Sequence, residues 1–309
     1  MAVWAASFPL FCFGTFMIGS SNGFAQQYRF AAAELADDRF RAKAISLVLA
    51  GGVISGMFGL EAAKWSRDLF SPVLFAGCFA MVVALQLAAA TLLTFVRLPA
   101  PPPRDPIRGS GRPLGQIVRQ PLFVVALLCG MVGYGVMSLV MTATPIAMIG
   151  CGFAFTDAAF VIQWHILGMY GPSFFTGHLI ARFGLTPILL TGAALLLACC
   201  GINLAGLAEG NFWVANLLLG IGWNFLFIGG TTLLTRTYAP EERAKVQALN
   251  DFTIFGTSTL SSFSSGALLA GFGWQTVQLT VMPFVAVAAA AILWMALNST
   301  RRTPSYAGQ

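Results

Sequence analysis

Charge is what this sequence lacks most. Only 9% of its 309 residues are Asp, Glu, Lys or Arg, while 57% are hydrophobic. A soluble globular domain usually has about 25% charged residues. So few charges cannot cover the surface of a soluble fold of this size. This excludes a cytosolic enzyme, a disordered chain and a nucleic-acid-binding protein, and it indicates a protein that crosses a membrane several times.

Residues that bind metals or form redox centres are also scarce. The chain has two histidines and six cysteines, and no two cysteines have CxxC spacing. Five of the cysteines lie inside apolar runs, where cysteine behaves as a small packing residue. We therefore expect no disulfide framework, no metal site and no cofactor.

Long apolar runs are abundant. A bilayer core about 30 Å thick requires about 20 apolar residues per helical span. Nine runs meet this length, at about 3–25, 44–62, 72–96, 121–148, 157–181, 185–206, 211–235, 246–270 and 274–297. The predicted fold class is an all-α transmembrane bundle of about nine helices.

A proline-rich polar segment divides the runs. It extends from Arg97 to Arg119 and is too rich in proline for a helix and too charged for lipid. We predict a three-helix bundle over 1–96, a cytoplasmic linker over 97–120, a six-helix bundle over 121–297 and a cytoplasmic tail over 298–309.

The positive charges predict an orientation. Short cytoplasmic loops carry an excess of Lys and Arg. Of the 17 positive residues, 15 fall in loops or in the C-terminal tail on one side of the predicted spans, and only Lys64 and Arg67 fall on the other. The N-terminus is predicted outside and the C-terminus in the cytoplasm.

An Arg-Ala-Lys tripeptide occurs twice, at 41–43 and 243–245, each time after acidic residues and before an apolar run. If these mark two repeated halves, the halves differ in length. From Pro121 to Arg243 there are 122 residues, but only 40 precede Arg41. The difference would hold three more spans, so the repeat predicts a six-plus-six protein whose first three helices are absent here.

A short motif joins the fifth and sixth runs: Gly177-His-Leu179-Ile-Ala-Arg182-Phe-Gly184. It resembles the cytoplasmic-loop motif of major facilitator superfamily transporters, with Ala181 and Leu185 in place of an acidic and a second basic residue. The whole chain resembles that family from its fourth helix onward. The resemblance implies two parallel six-helix halves that enclose a solute site.

A second motif lies in the second run and contains Gly51, Gly52, Gly56 and Gly59. It resembles the glycine-rich fifth-helix motif associated with antiporters, although Leu60 replaces the proline of that motif. The alternative is close helix packing, because Gly-x-x-x-Gly lets two backbones approach in lipid.

Few ionisable residues fall inside the predicted spans, where such residues are functional candidates. His165, next to Gln163, either binds solute or a proton or is satisfied by a neighbouring helix. Asp251, next to Asn250, either titrates or pairs with a cytoplasmic arginine such as Arg182 or Arg236.

The resemblance implies that the first, fourth and seventh runs line the solute cavity. This adds Tyr134, Trp223 and Asn224 to the candidates. The residues expected to line the cavity are mostly small and uncharged, and its helices offer no Arg or Lys. A small neutral or amphipathic solute is therefore expected.

The sequence thus predicts a secondary active transporter of a small solute, proton-coupled and located in the inner membrane if the source is bacterial. Its partners would be the lipid bilayer and the solute, with no nucleic acid. One alternative is a truncated, non-transporting fragment, or half of a split transporter with separate N-terminal helices. A remote alternative is an integral-membrane transferase. Against it, His165 and His178 are expected near opposite ends of one helix, where they cannot form one site.

Overall fold

The computed structural model describes residues 3–5, 7–95 and 111–300. Within these ranges the chain forms helices and no strands. The α-helices are α1 Phe8–Ala25, α2 Tyr28–Leu35, α3 Arg41–Ala50, α4 Gly52–Ser66, α5 Ala76–Thr94, α6 Leu114–Ile117, α7 Pro121–Gly150, α8 Phe155–Tyr170, α9 Ser173–Phe183, α10 Leu185–Ala205, α11 Glu209–Leu234 and α12 Arg243–Thr300. A 3-10 turn, Pro240–Glu242, precedes α12. Most of the predicted linker, residues 97–110, and the tail residues 301–309 lie outside the described residues.

The prediction of an all-α membrane bundle is confirmed. Six helical stretches among the described residues are long and apolar enough to cross a membrane: Arg41–Ala63, Ala76–Thr94, Pro121–Gly150, Leu185–Ala205, Glu209–Leu234 and Pro240–Asn298. The last contains two of the predicted spans, 246–270 and 274–297. The backbone of α12 turns between them at Gly273, where φ is 81°. The predicted span 157–181 is divided into α8 and α9 at Gly171 and Pro172.

Proline and glycine set several helix ends. Pro121 is the first residue of α7, a position where its missing N–H removes no helical hydrogen bond. Gly152 follows α7 with φ of 90°, and Gly184 separates α9 from α10 with φ of 87°. A side chain at either position would be strained, so glycine permits these tight connections.

The core is built around α11. This helix packs against α7, α8 and α10, and α12 packs against α7 and α10. Helix α11 buries residues on all sides, among them Phe212, Leu219, Trp223 and Phe227, as expected of a helix enclosed by others. From the first part of the chain, α3 packs on α9 and α4 packs on α8. The start of α2 lies close to α12, where side chains of the two helices are hydrogen-bonded.

Candidate functional site

A buried ion pair joins the first part of the chain to α12. Arg29 of α2 donates from Nη2 to Oδ1 of Asp251, and the two residues are 1% and 8% exposed. Gln27 Nε2 donates to the other carboxylate oxygen at 2.8 Å, and Asn250 Nδ2 donates to Oδ1 at 3.0 Å. Arg29 Nη1 also donates to Gln26 Oε1 at 2.6 Å. A buried charge needs such compensation, since an isolated one would be very costly.

The structure corrects two expectations at this point. The partner of Asp251 is Arg29, rather than Arg182 or Arg236. Arg29 was also among the 15 positive residues predicted to lie outside the spans on the cytoplasmic side, but it belongs to α2 and is almost completely buried. Burial is possible because the ion pair is hydrogen-bonded and aromatic rings cover the guanidinium. The sequence signal for this site is the polar run from Ser20 to Arg29, which by itself predicts only the inner end of a helix.

Aromatic side chains surround the guanidinium of the ion pair. It lies 4.5 Å from the ring centroids of both Phe30 and Phe227, a favourable cation–π distance. Phe227 stacks on Trp223 with centroids 5.0 Å apart. Three further rings contact this pair or each other. We refer to all five residues as the aromatic cluster: Tyr134, Tyr170, Trp223, Phe227 and Phe255.

A cavity of about 310 Å³ opens beside the ion pair. Its lining combines polar and aromatic groups and consists of Gly23, Gln27, Asp251, Phe252, Phe255, Gly256 and Thr259. Phe255 belongs both to this lining and to the aromatic cluster, because its ring lies 5.1 Å from that of Tyr134. The cavity therefore offers aromatic faces and hydrogen-bonding groups within one space.

Four of the sequence-predicted residues meet in or around this site, namely Tyr134, Trp223, Asn250 and Asp251. His165 and Gln163 do not line the cavity. His165 is fully buried, and its Nδ1 lies 2.8 Å from the backbone oxygen of Asn216. His165 Nε2 has no hydrogen-bond partner in the structure.

Asn224, also predicted to line the cavity, instead bridges the break between α8 and α9. Its Nδ2 donates to Met169 O and to Ser173 Oγ, both at 2.6 Å. Its Oδ1 accepts from Thr176 Oγ1 at 2.6 Å. From α3, Ser46 donates to Ser173 O and accepts from the backbone N–H of Gly177 at 3.0 Å. Polar groups at the break are thus satisfied from two other helices.

The residues of the loop motif differ in their burial. Gly177 is buried, and a Cβ there would lie 2.6 Å from Lys43 Cα. Leu179 is half-buried, and Arg182 is exposed with its guanidinium 5.2 Å from the Phe183 ring. Gly184 forms the turn to α10 with its positive φ. Gly177 therefore marks a close backbone contact between α3 and α9.

The glycine-rich helix motif presents two of its four glycines to α8. A Cβ on Gly52 would overlap the Tyr170 ring, and one on Gly56 would lie 2.5 Å from Ile166 Cγ2. A Cβ on Gly51 or on Gly59 would meet only atoms of its own helix region. Gly52 and Gly56 thus allow α4 to approach α8 closely.

Further ion pairs link α12 and the turn before it to other parts of the chain. Glu34 of α2 pairs with Arg243 and accepts from Gln247 Nε2 at 3.2 Å, which joins α2 to α12. Arg112 donates to both carboxylate oxygens of Glu242, at 2.8 and 2.6 Å. Hydrogen bonding to this carboxylate raises the pKa of Arg112 above its ordinary value.

Together, the long apolar helices and the buried polar site define an integral, multi-pass membrane protein of the solute-carrier class. The sequence profile of the Major Facilitator Superfamily matches residues 1–250 and 166–308. The chain belongs to this superfamily, as its loop motif predicted, and it is a membrane transporter rather than an enzyme.

Individual relatives agree with this assignment. The chain is 44% identical over 287 residues to the riboflavin transporter RfnT of Brucella anthropi, covering 92% of this chain and 72% of the relative. It is 28% identical over 259 residues to the uncharacterized MFS-type transporter YddS of Bacillus subtilis, covering 78% of this chain and 58% of the relative. The structure resembles that of an alanine variant of the E. coli fucose:proton symporter FucP, with a TM-score of 0.72, 18% identity and coverage of 95% and 78% of the two chains.

Proposed function

We propose that this protein transports riboflavin or a closely related flavin across the membrane. The observation that carries the proposal is the 44% identity to a riboflavin transporter over 92% of the chain. The expectation of a small neutral or amphipathic solute agrees with it, since riboflavin joins a flat aromatic ring system to an uncharged hydroxylated chain.

The cavity beside the ion pair suits such a molecule. Its volume of about 310 Å³ falls at the lower end of the range of ligand pockets. Phe252 and Phe255 supply aromatic faces for the ring system. Gln27, Asp251 and Thr259 supply hydrogen-bonding groups for the hydroxyls of the chain.

Riboflavin binding is expected to depend on Phe255. Stacking on an aromatic side chain contributes about 1–3 kcal/mol per base-like ring, so Phe255→Ala is expected to weaken binding about tenfold. The measurement is quenching of riboflavin fluorescence by the purified full chain in detergent. Phe263→Ala is the matched control, because Phe263 lies on the same helix, is 80% exposed and does not line the cavity. Failure of the unaltered chain to bind riboflavin would contradict the proposal.

We further propose that flavin movement is coupled to protons and that Asp251 carries the proton. Asp251 lies within a span and lines the cavity, and a proton taken up by its carboxylate would release the ion pair with Arg29. In proteoliposomes, an imposed proton gradient is expected to change the rate of riboflavin entry. The same rate with and without the gradient would rule out the coupling and leave the solute assignment standing.

We also propose an N-terminus outside, a C-terminus in the cytoplasm and a cytoplasmic linker at 97–120 between two bundles. The distribution of Arg and Lys supports this arrangement. Trypsin is expected to cut first at Arg104 or Arg108 in inside-out vesicles, giving one fragment of about a third of the chain and one of about two thirds. Cleavage at these sites by trypsin added outside intact cells would contradict the proposed orientation.

A further inference from the structure

We infer that the cavity admits uncharged flavin and excludes flavin that carries a phosphate on its ribityl chain, with the Arg29–Asp251 ion pair acting as the charge filter. This inference rests on the proposed function and specifies the substrate class of the same site. Riboflavin ends its chain in a hydroxyl. Its phosphorylated form, flavin mononucleotide, adds about −1.5 to −2 charge at neutral pH.

The arginine at the site already has its partners. Nη1 and Nη2 of Arg29 donate to Gln26 and Asp251, and the rings of Phe30 and Phe227 lie against the guanidinium. Arginine binds phosphate through two parallel N–H groups. Arg29 keeps further N–H groups, but it is 1% exposed and is not part of the cavity lining, whereas its partner Asp251 is. A phosphate in the cavity would therefore have to displace Asp251 to reach Arg29.

The cavity wall itself presents a carboxylate and no cation. Its lining includes Asp251 but no lysine or arginine among the described residues. A hydroxyl placed there donates a hydrogen bond to the carboxylate, whereas a phosphate meets a like charge in a region of low dielectric. The charges of Arg29 and Asp251 cancel at longer range, so the ion pair does not attract an anion into the cavity.

The test on the unaltered full chain compares three ligands by fluorescence quenching: riboflavin, flavin mononucleotide and the neutral 5′-acetate ester of riboflavin. Flavin mononucleotide is expected to bind at least about tenfold more weakly than riboflavin, and the ester within about threefold of it. Equal binding of riboflavin and flavin mononucleotide would overturn the charge filter and leave the proposed function intact. Exclusion of the ester as strong as that of the phosphate would show a filter of size and overturn the inference. Binding of no flavin would instead refute the proposed function.

A variant then assigns the filter to the ion pair. Asp251→Asn preserves the side-chain shape and leaves the charge of Arg29 uncompensated. The affinity for flavin mononucleotide, relative to riboflavin, is expected to rise about tenfold or more, because a charge-assisted hydrogen bond replaces a repulsion. The double variant Arg29→Gln/Asp251→Asn removes both charges and should lose this gain.

Asp68→Asn is the matched control, since it makes the same change of charge at a side chain that is 68% exposed and lies outside the cavity lining. It should leave the ratio of the two affinities unchanged. If Asp251→Asn binds riboflavin but gains no affinity for flavin mononucleotide, the ion pair is not the filter. If this variant does not fold, the three-ligand comparison on the unaltered chain decides the inference.

Discussion

Replacing Arg29 with glutamine is expected to lower the free energy of unfolding by about 3–5 kcal/mol. Arg29 is 1% exposed, and its removal leaves the Asp251 carboxylate buried without its counter-charge. The cation–π contacts with Phe30 and Phe227 are lost as well. The measurement is unfolding by SDS in mixed micelles, followed by tryptophan fluorescence, to which the nearby Trp223 contributes.

The double variant Arg29→Gln/Asp251→Asn is expected to be more stable than Arg29→Gln alone, because both charges are removed and no unpaired charge stays buried inside the protein. Arg67→Gln is the control at an exposed ion pair, where Arg67 and Asp68 are 52% and 68% exposed and 3.8 Å apart. Exposed pairs contribute about 0–1 kcal/mol, so this change should be small. Equal stability of the single and double variants would show that Arg29 acts through packing and not through its charge.

The second large loss of stability is expected for Gly177→Ala. The added Cβ would lie 2.6 Å from Lys43 Cα and 2.9 Å from the carbonyl oxygen of Ala42. Both are backbone atoms and cannot rotate away, so α3 and α9 must separate. Overpacking of this kind costs about 1–3 kcal/mol. The shift would also stretch the hydrogen bond from the Gly177 N–H to Ser46, which measures 3.0 Å.

Gly59→Ala serves as the control and is expected to raise the stability of the protein. A Cβ at Gly59 meets only Ser55 Oγ at 3.8 Å, an ordinary contact. Alanine in a helix interior is favoured over glycine by about 0.5–1 kcal/mol. Both variants are compared by their midpoints of thermal unfolding in detergent and by riboflavin entry into proteoliposomes. A stable and fully active Gly177→Ala variant would mean that α3 and α9 separate without consequence.

The residues of the site were only partly predictable from the sequence. Asp251 was recognisable because ionisable residues stand out within apolar runs, and Tyr134 because the family resemblance places its run at the solute cavity. Arg29 was not, because it follows an apolar run closely and looks like any cation at a membrane surface. Its partner lies 222 residues away along the chain, a separation over which no local pattern can predict a contact. Asn224 illustrates the reverse case, since its amide satisfies the break between α8 and α9 rather than the cavity.

The sequence by itself determined the membrane class, most of the long apolar helices and the superfamily. These follow from local properties: the length of each apolar run, the scarcity of charge and the short loop motif, each of which acts within one helix or turn. The tertiary structure alone decided which polar groups are buried together and which glycines of the two motifs touch a neighbour. The spacing of Gly52, Gly56 and Gly59 puts them on one helix face, but only the packing of α4 on α8 decides that Gly52 and Gly56 contact a neighbouring helix and Gly59 does not. Pairing between distant residues depends on how whole helices pack, and that information is spread over the entire chain.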